Sequence, residues 1–141
     1  MSQPPHVNPD PDKVRDLLHE ARCVAVVGLS PDPGRDSHKV AAYLLQHGFK
    51  VVPVNPKAES ILGQRCFASL KDIPFPVDLV DVFRAAEFVD GIVDQCLALG
   101  VPALWIQEGI VNEPAAQRAR GGGMTVVMDR CIYRDYRTFC R

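Results

Sequence analysis

Residues 24–37, with the sequence VAVVGLSPDPGRDS, constrain the fold more than any other stretch of the chain. A run of apolar, mostly β-branched residues ends at Gly28, and a polar loop containing Gly34 follows before an amphipathic segment opens at Ser37. This order predicts a buried strand, a tight turn and a helix, which together form the first βα unit of a doubly wound sheet. Backbone N–H groups and the positive end of a helix dipole would meet at this turn, so it is a candidate site for an anionic phosphate. Gly28 would let the phosphate approach the backbone closely.

The rest of the chain repeats the alternation of strand and helix. The predicted strands comprise residues 23–27, 50–55, 77–83, 103–106 and 124–128. Apolar residues spaced three and four positions apart predict helices in most of the intervening segments, and short crossover connections favour parallel strands. We therefore predict an α/β fold: a three-layer Rossmann-like sandwich with a five-stranded, mainly parallel sheet.

Capping residues support the predicted helix boundaries. Asp10 precedes Pro11 at the start of the first helix, Ser37 is the predicted cap of the second, and Asn112 is the predicted cap of the helix after the fourth strand. Residues 61–66 contain Gly63 and are predicted to form an irregular connector. Residues 1–9 contain three prolines and are predicted to form a tail or an arm on the surface, before a single domain spanning residues 10–141.

Composition and charge exclude several classes of function. A net charge of -1, without a block rich in Lys or Arg, argues against a nucleic-acid partner. No apolar run approaches the roughly 20 residues of a membrane-spanning helix, and the N-terminus lacks the pattern of a signal peptide. The five cysteines include no C-x-x-C pair, which argues against both a zinc site and a disulfide framework. We therefore predict a cytoplasmic protein with no metal site and no membrane partner.

In a parallel sheet of this kind the ligand lies outside the carboxyl ends of the strands. A dinucleotide site would show the pattern G-x-G-x-x-G after the first strand and an acidic residue at the end of the second. Here five residues separate Gly28 from Gly34, and the second strand ends in Asn55-Pro56-Lys57. Both departures argue against NAD, and the absence of the pattern G-x-x-x-x-G-K-[S/T] argues against ATP on a P-loop.

Candidate catalytic residues are few. Asp78 and Asp81 could form a carboxylate pair, but hydrogen bonding at a strand end is the simpler interpretation. Cys131 lies beside a predicted helix start, which could lower the pKa of its thiol, but ordinary packing is the simpler interpretation. Trp105 is interpreted as a core residue. Arg84 directly follows a buried strand at the ligand edge, so an anion contact and a structural salt bridge are both open.

Five motifs in register carry a family resemblance over about residues 12–136. They are VAVVGLS, VVPVNPK, VDLVDVFR, ALWIQEGIVNE and VVMDRC. In this order they resemble the stand-alone coenzyme A-binding proteins, which are single Rossmann-like domains similar to the N-terminal domain of the succinyl-CoA synthetase α subunit. The resemblance agrees with the argument against NAD, because the family is expected to have P-V-N-P where a dinucleotide-binding protein has an acidic residue.

The resemblance also implies a set of cofactor-binding residues. It implies phosphate contacts for Gly28, Leu29 and Ser30, contacts with the adenosine end for Val54, Asn55, Pro56 and Lys57, a border to the nucleotide for Phe83 and Arg84, and contacts with the pantetheine arm for Ile106, Gln107, Glu108 and Gly109. Arg35, Ser37 and Lys39 complete the candidate site around the same pocket. Lys57 is the predicted partner of the 3′-phosphate of CoA, and Arg35 is the alternative.

Catalysis in the synthetase needs a phosphorylated histidine on a second domain and an ATP-grasp partner, and the chain contains no counterpart of either. The resemblance therefore implies a module that binds CoA or an acyl-CoA without catalysis, as a sensor or carrier. Two other hypotheses stay open: a subunit of an acyl-CoA synthetase-type enzyme completed by another chain, and a nicotinamide-dinucleotide redox sensor. The identity of any protein partner is left open.

Overall fold

A computed structural model of the protein describes residues 5–140. In chain order the strands are β1 (Cys23–Val27), β2 (Lys50–Val54), β3 (Ser60–Ile61), β4 (Gln64–Arg65), β5 (Leu79–Val82), β6 (Ala103–Ile106) and β7 (Thr125–Met128). Five of them form one sheet in the order β2-β1-β5-β6-β7, and every neighbouring pair is parallel. The predicted five-stranded α/β fold is therefore confirmed.

Helices cover both faces of this sheet. They are α1 (Pro11–Glu20), α2 (Asp36–Gln46), α3 (Val89–Leu99), α4 (Glu113–Gly121) and α5 (Ile132–Phe139), with short 3₁₀ turns at Leu70–Asp72 and Ala86–Phe88. Helices α1, α2 and α5 pack on one face, and α3 and α4 pack on the other. None of the helices in the described part of the chain is both long and apolar enough to cross a membrane.

Alternate residues of the central strands point to the two helical layers. Val80 and Val82 of β5 pack with α3 and α4, whereas Leu79 packs with α1, α2 and α5. Trp105 is fully buried on the latter side, and its indole N–H donates to the carbonyl of Arg130 at 2.8 Å. Trp105 is thus a core residue, as predicted. Its apolar ring is removed from water, and the hydrogen bond to Arg130 satisfies its single donor.

Two of the three predicted caps are confirmed and one is wrong. The Asp10 carboxylate accepts from the N–H of Lys13, and the Asn112 side chain accepts from the N–H of Ala115. Helix α2, however, begins at Asp36, so Ser37 lies inside its first turn rather than at its cap. The Ser37 hydroxyl instead accepts from the N–H of Ser30, because the preceding loop folds back over the helix start.

The predicted irregular connector at residues 61–66 is instead mostly a β-hairpin. Strands β3 and β4 are antiparallel, and the two residues between them, Leu62 and Gly63, have φ angles of 55° and 72°. Positive φ at both central positions is typical of a type I′ hairpin turn. Leucine is rare in this conformation, so the local sequence did not indicate it. Pro53 lies on the edge strand β2, as predicted for a residue without a backbone donor.

Asp78 and Asp81 do not form a carboxylate pair. A single carboxylate oxygen of Asp78 accepts from the backbone N–H groups of Arg22 and Cys23, both at 2.9 Å, which confirms the strand-end interpretation for this residue. Asp81 is fully buried in β5, and neither of its carboxylate oxygens has a partner among residues 5–140. The strand-end interpretation is therefore wrong for Asp81, and desolvation raises the pKa of its carboxyl well above the usual value.

The topology places a crevice at the carboxyl end of β1. From β1 the chain passes through α2 to the edge strand β2, and it then returns to β5 on the opposite side of β1. Open α/β sheets bind their ligands at such a reversal of strand order. At the opposite edge, the Asn8 side chain bonds to the N–H and carbonyl of Met128 in β7. Residues 1–4 of the predicted tail lie outside the described residues.

Candidate functional site

Gly28 ends β1 at the centre of the crevice. Its N–H donates to the carbonyl of Val54 at 3.1 Å, which ties the turn to the end of β2. Its φ of +87° is unfavourable for any residue with a side chain, and a Cβ at this position would overlap the carbonyl oxygen of Phe83. The chain therefore requires glycine here for its own backbone packing.

The loop that follows is held by its own side chains. The N–H of Ser30 donates to the Ser37 hydroxyl at 3.0 Å, the N–H of Asp32 to the Ser30 hydroxyl at 3.1 Å, and the N–H of Gly34 to the Asp32 carboxylate at 2.9 Å. Nδ1 of His38 donates to the carbonyl of Ser30 at 3.0 Å. These bonds preorganise the loop, but they also occupy donors that the sequence suggested were free for a phosphate.

Three backbone donors are left for an anion in this region. Within residues 5–140, the N–H groups of Leu29, Asp36 and Ser37 have no hydrogen-bond partner. Asp36 and Ser37 form the first turn of α2, where unpaired N–H groups and the helix dipole favour negative charge. The candidate phosphate site is thus limited to the surroundings of these three N–H groups and does not extend over the whole glycine-containing loop.

Asn55 joins the turn after β1 to the end of β2. Its amide nitrogen donates to the carbonyl of Leu29 at 3.0 Å, and its amide oxygen accepts from the N–H of Lys57 at 2.8 Å. This pair of bonds needs a donor and an acceptor on one side chain. An aspartate here would place a carboxylate against the Leu29 carbonyl. The geometry therefore explains why this strand does not end in the acidic residue of a dinucleotide site.

A cleft of about 520 Å³ lies between the turn after β1, the end of β2 and the start of α3; we call it the β2 cleft. Its lining includes Gly28, Leu29, Ser30, Val54, Asn55, Pro56, Lys57, Ser69, Arg84, Phe88, Ile92 and Gln95. The Arg84 guanidinium lies 4.1 Å from the centre of the Phe88 ring. Neither Arg84 nor Lys57 forms an ion pair with any acidic residue in the described part of the chain. The salt-bridge alternative for Arg84 is therefore not observed.

Two further clefts continue along the carboxyl edge of the sheet. The loop cleft, of about 500 Å³, is lined by Gly28, Ser30, Gly34, Arg35, Asp36, Ser37 and Phe83. The α5 cleft, of about 710 Å³, lies between α2 and α5, and its lining includes Lys39, Tyr43, Phe83, Gln107, Glu108, Cys131, Tyr133 and Arg134. Gly28 and Ser30 are shared by the β2 and loop clefts, and Asp36 and Phe83 are shared by the loop and α5 clefts. The three clefts therefore adjoin one another along this edge, and we refer to them together as the groove.

The structure brings most of the candidate cofactor-binding residues to this groove, with two exceptions. Ile106 is fully buried in β6 and lines none of the three clefts, because its strand position faces the α3 and α4 layer. Gly109 also lines none of them, and its N–H donates to the Asp129 carboxylate at 2.7 Å. Glu108 lines the α5 cleft but pairs with Arg134 at 2.9 Å. Within residues 5–140, no group of three or more His, Cys, Asp or Glu residues could hold a metal ion.

Several lining residues were not predicted from the sequence. Phe88 is 46% exposed because the chain forms a 3₁₀ turn there before α3 begins. Gln95 lines the β2 cleft, and its amide oxygen is buried with no partner among the described residues. Tyr43, Tyr133 and Arg134 line the α5 cleft and carry no local motif. Only the tertiary arrangement of α2, α3 and α5 identifies these residues.

Comparisons with known proteins identify relatives of this chain in sequence and in fold. An uncharacterized protein of Bacillus subtilis is 40% identical over 125 residues, which cover 89% of this chain and 93% of that protein. The alpha subunit of ADP-forming acetate–CoA ligase II from Pyrococcus furiosus is 34% identical over 128 residues, which cover 83% of this chain but only 28% of the subunit. The solved structure of a hypothetical protein from Pyrococcus horikoshii OT3 matches with a TM-score of 0.93 and 33% identity, covering 100% of this chain and 99% of that one.

The family comparison covers most of the domain. Residues 22–137 match the CoA binding domain family, and this segment includes every strand of the sheet and all three clefts. The ligase subunit similarity covers a limited part of a longer protein, so it supports a shared domain. The chain therefore belongs to the CoA binding domain family and is related to the alpha subunits of ADP-forming acetate–CoA ligases.

Proposed function

We propose that this chain binds coenzyme A or an acyl-CoA in the groove at the carboxyl edge of the sheet, as a non-catalytic module that senses or carries the ligand. The observation that carries the proposal is the position of Asn55. Its two hydrogen bonds join the turn after β1 to the end of β2, and they form one wall of the β2 cleft beside two basic side chains without ion pairs, Lys57 and Arg84. Membership of the CoA binding domain family supports the identity of the ligand.

The groove suggests an orientation for CoA. The phosphates would lie near the free N–H groups of Leu29, Asp36 and Ser37, with Arg84 and Arg35 supplying positive charge. The adenosine end would occupy the β2 cleft. There the buried, unpartnered amide oxygen of Gln95 would accept a hydrogen bond from the adenine amino group. The pantetheine arm would run past Phe83 toward Gln107 and Glu108 in the α5 cleft. We assign no contact with CoA to Ile106, which lines none of the three clefts.

We expect CoA to raise the melting temperature of the protein and NAD to leave it unchanged. Ligand binding to the native state adds about 2.7 kcal/mol of stability at a hundredfold excess over the dissociation constant. The amide of Asn55 is committed to two backbone bonds, so nothing at the end of β2 would recognise the ribose hydroxyls of NAD as an acidic residue does. Thermal unfolding with CoA, NAD and no ligand measures the difference. Equal shifts with CoA and NAD would favour the redox-sensor hypothesis.

A Lys57→Ala substitution is expected to weaken CoA binding by about ten- to hundredfold while affecting dephospho-CoA much less. CoA differs from dephospho-CoA by a 3′-phosphate, and a charge-assisted contact to it contributes about 1.5–3 kcal/mol. Titration calorimetry at two salt concentrations gives both affinities and their salt dependence. Lys13→Ala, on the exposed surface of α1, is the matched control for loss of one positive charge. If Lys57→Ala keeps the parental preference for CoA, Lys57 does not contact the 3′-phosphate, and Arg35→Ala becomes the variant to measure.

The second candidate function is a subunit of an acyl-CoA synthetase-type enzyme completed by another chain. The similarity to a ligase alpha subunit favours it. The binding-module proposal expects no acetyl-CoA or ADP above background when the purified protein is mixed with ATP, CoA and acetate. Turnover that follows the protein through a last chromatography step would contradict that proposal. Co-purification with an ATP-grasp protein, with turnover restored in the mixture, would establish the subunit function instead.

A further inference from the structure

The α5 cleft lies where the sulfur of a bound CoA would arrive, if CoA binds as proposed above. The turn after β1, which would hold the phosphates, is three strand spacings from β7. At 4.7–4.9 Å for each spacing this distance is about 14 Å. The arm of CoA from phosphorus to sulfur contains roughly thirteen bonds and extends about 15 Å at the advance per bond of an extended chain. The loop and α5 clefts along this span share Asp36 and Phe83 as lining residues.

Cys131 lines the α5 cleft at this end of the groove. It is partly exposed and immediately precedes α5, and Arg134 lines the same cleft. The other four cysteines line none of the three clefts. Burial raises the pKa of their thiols, in the case of Cys96 to about 12, which makes them poor nucleophiles.

Gln107 offers a second polar group to a ligand in this cleft. The residue is 4% exposed, and its amide oxygen accepts from the N–H of Ile132 at 3.2 Å. Its amide nitrogen has no partner among residues 5–140, although Gln107 lines the α5 cleft beside Cys131. This nitrogen is not among the fully buried side-chain atoms without a partner, so it is a donor that a ligand in the cleft can reach. The pantetheine arm carries an amide carbonyl close to its sulfur, and such a carbonyl would satisfy this donor.

We propose that Cys131 is a reversible covalent anchor for CoA, formed by thiol–disulfide exchange with the disulfide of CoA. The Cys131 thiolate attacks one sulfur of a molecule in which two CoA units are joined through sulfur. A bond forms between the Cys131 sulfur and one CoA, the original sulfur–sulfur bond breaks, and the second CoA leaves as a thiolate that takes a proton from water. A lone pair of the Cys131 sulfur forms the new bond, and the electron pair of the broken sulfur–sulfur bond stays with the released CoA, so no further oxidant is needed. A small dithiol reduces the mixed disulfide, which restores the Cys131 thiol and releases CoA as a thiol while the dithiol is oxidised.

The test treats reduced protein with CoA disulfide and follows the intact mass without reductant. We expect one CoA adduct per chain, located at Cys131 by peptide mapping and removed by dithiothreitol. Glutathione disulfide at the same concentration is expected to react at least about tenfold more slowly, because it lacks the nucleotide that the groove would bind. Desulfo-CoA, which has no thiol, is expected to protect the wild-type protein from the adduct.

Variants and a binding measurement separate the possible outcomes. Cys131→Ser should abolish the adduct, whereas Cys66→Ser, a matched change at a partly exposed cysteine outside the groove, should retain it. Equal rates with the two disulfides, labelling at another cysteine, or no protection by desulfo-CoA would overturn the anchor. Calorimetry with desulfo-CoA then distinguishes the two proposals. If desulfo-CoA binds but no specific adduct forms, only the covalent anchor at Cys131 is overturned. If desulfo-CoA does not bind, the proposed function is overturned as well.

Discussion

A Gly28→Ala substitution is expected to lower the free energy of unfolding by about 2–5 kcal/mol. A side chain at φ +87° costs about 1–2 kcal/mol, and displacing the carbonyl of Phe83, which the new Cβ would overlap, adds the roughly 1–3 kcal/mol of an overpacked site. Gly28 follows β1, and Phe83 follows the neighbouring strand β5. Both strands have a partner on either side in the sheet, so neither can move away from the new side chain without disturbing the sheet. Chemical denaturation in the absence of ligand measures the loss.

Gly123→Ala is the matched control for this measurement. Gly123 has a similar φ of +94°, but no atom lies within 4 Å of a Cβ placed there. Only the backbone cost of about 1–2 kcal/mol applies at this position. Equal losses for Gly28→Ala and Gly123→Ala would show that contact with Phe83 contributes nothing. The comparison also bears on CoA binding, because weaker binding by an unstable Gly28→Ala protein would be no evidence for a phosphate contact at Gly28.

Replacing Asp81 by valine is expected to stabilise the protein by about 1–3 kcal/mol near pH 8. Asp81 is fully buried in the central strand β5, and its register neighbours are Val26 and Trp105. Both carboxylate oxygens lack a partner among the described residues, and an unsatisfied buried polar group costs about 1–3 kcal/mol. Valine removes the polar atoms and suits a buried strand. Thermal and denaturant unfolding of the two proteins measure the gain.

The stability gained by Asp81→Val should increase with pH. Burial raises the pKa of the Asp81 carboxyl in the folded state, so folding favours its protonated form. In the wild-type protein the stabilising contribution of the protonated Asp81 carboxyl is fully present below the unfolded pKa of about 3.9. This contribution is lost as the pH rises through the raised folded pKa. The difference between Asp81→Val and wild type should therefore widen from pH 4 upward. Asp81→Asn, which cannot ionise, should show the same widening with a smaller gain. Stability curves that run parallel from pH 4 to pH 8 would contradict the assignment.

Local sequence chemistry was sufficient for the architecture. Strand β1 was predicted with its observed bounds, because an apolar β-branched run ending in glycine has few other stable conformations. The caps at Asp10 and Asn112 and the left-handed Gly100 after α3 were also predictable, since each depends on residues within one helical turn. The resemblance to the family then supplied the candidate residues at the ends of the strands.

The hydrogen-bonding state of the site was not predictable in the same way. The sequence suggested a loop with free donors, whereas Ser37 and Asp32 occupy several of them. Ser37 was placed at the helix cap because the local pattern carries no information on where the preceding loop turns back. The hairpin at residues 61–66 was missed for a related reason, since Leu62 adopts a positive φ that only the surrounding contacts stabilise.

By itself the sequence determined the order of strands and helices, the glycine after β1 and the Asn55-Pro56-Lys57 end of β2, because periodicity and turn chemistry act over a few residues. Only the tertiary structure decided that Asp81 is buried without a partner, that Ile106 faces the core, and that Gln107 and Cys131 line one cleft with α2. Those properties depend on which helix covers which face of the sheet. Residues far apart in the chain are brought together by burial of the sheet between two helical layers, and a local pattern cannot specify that arrangement.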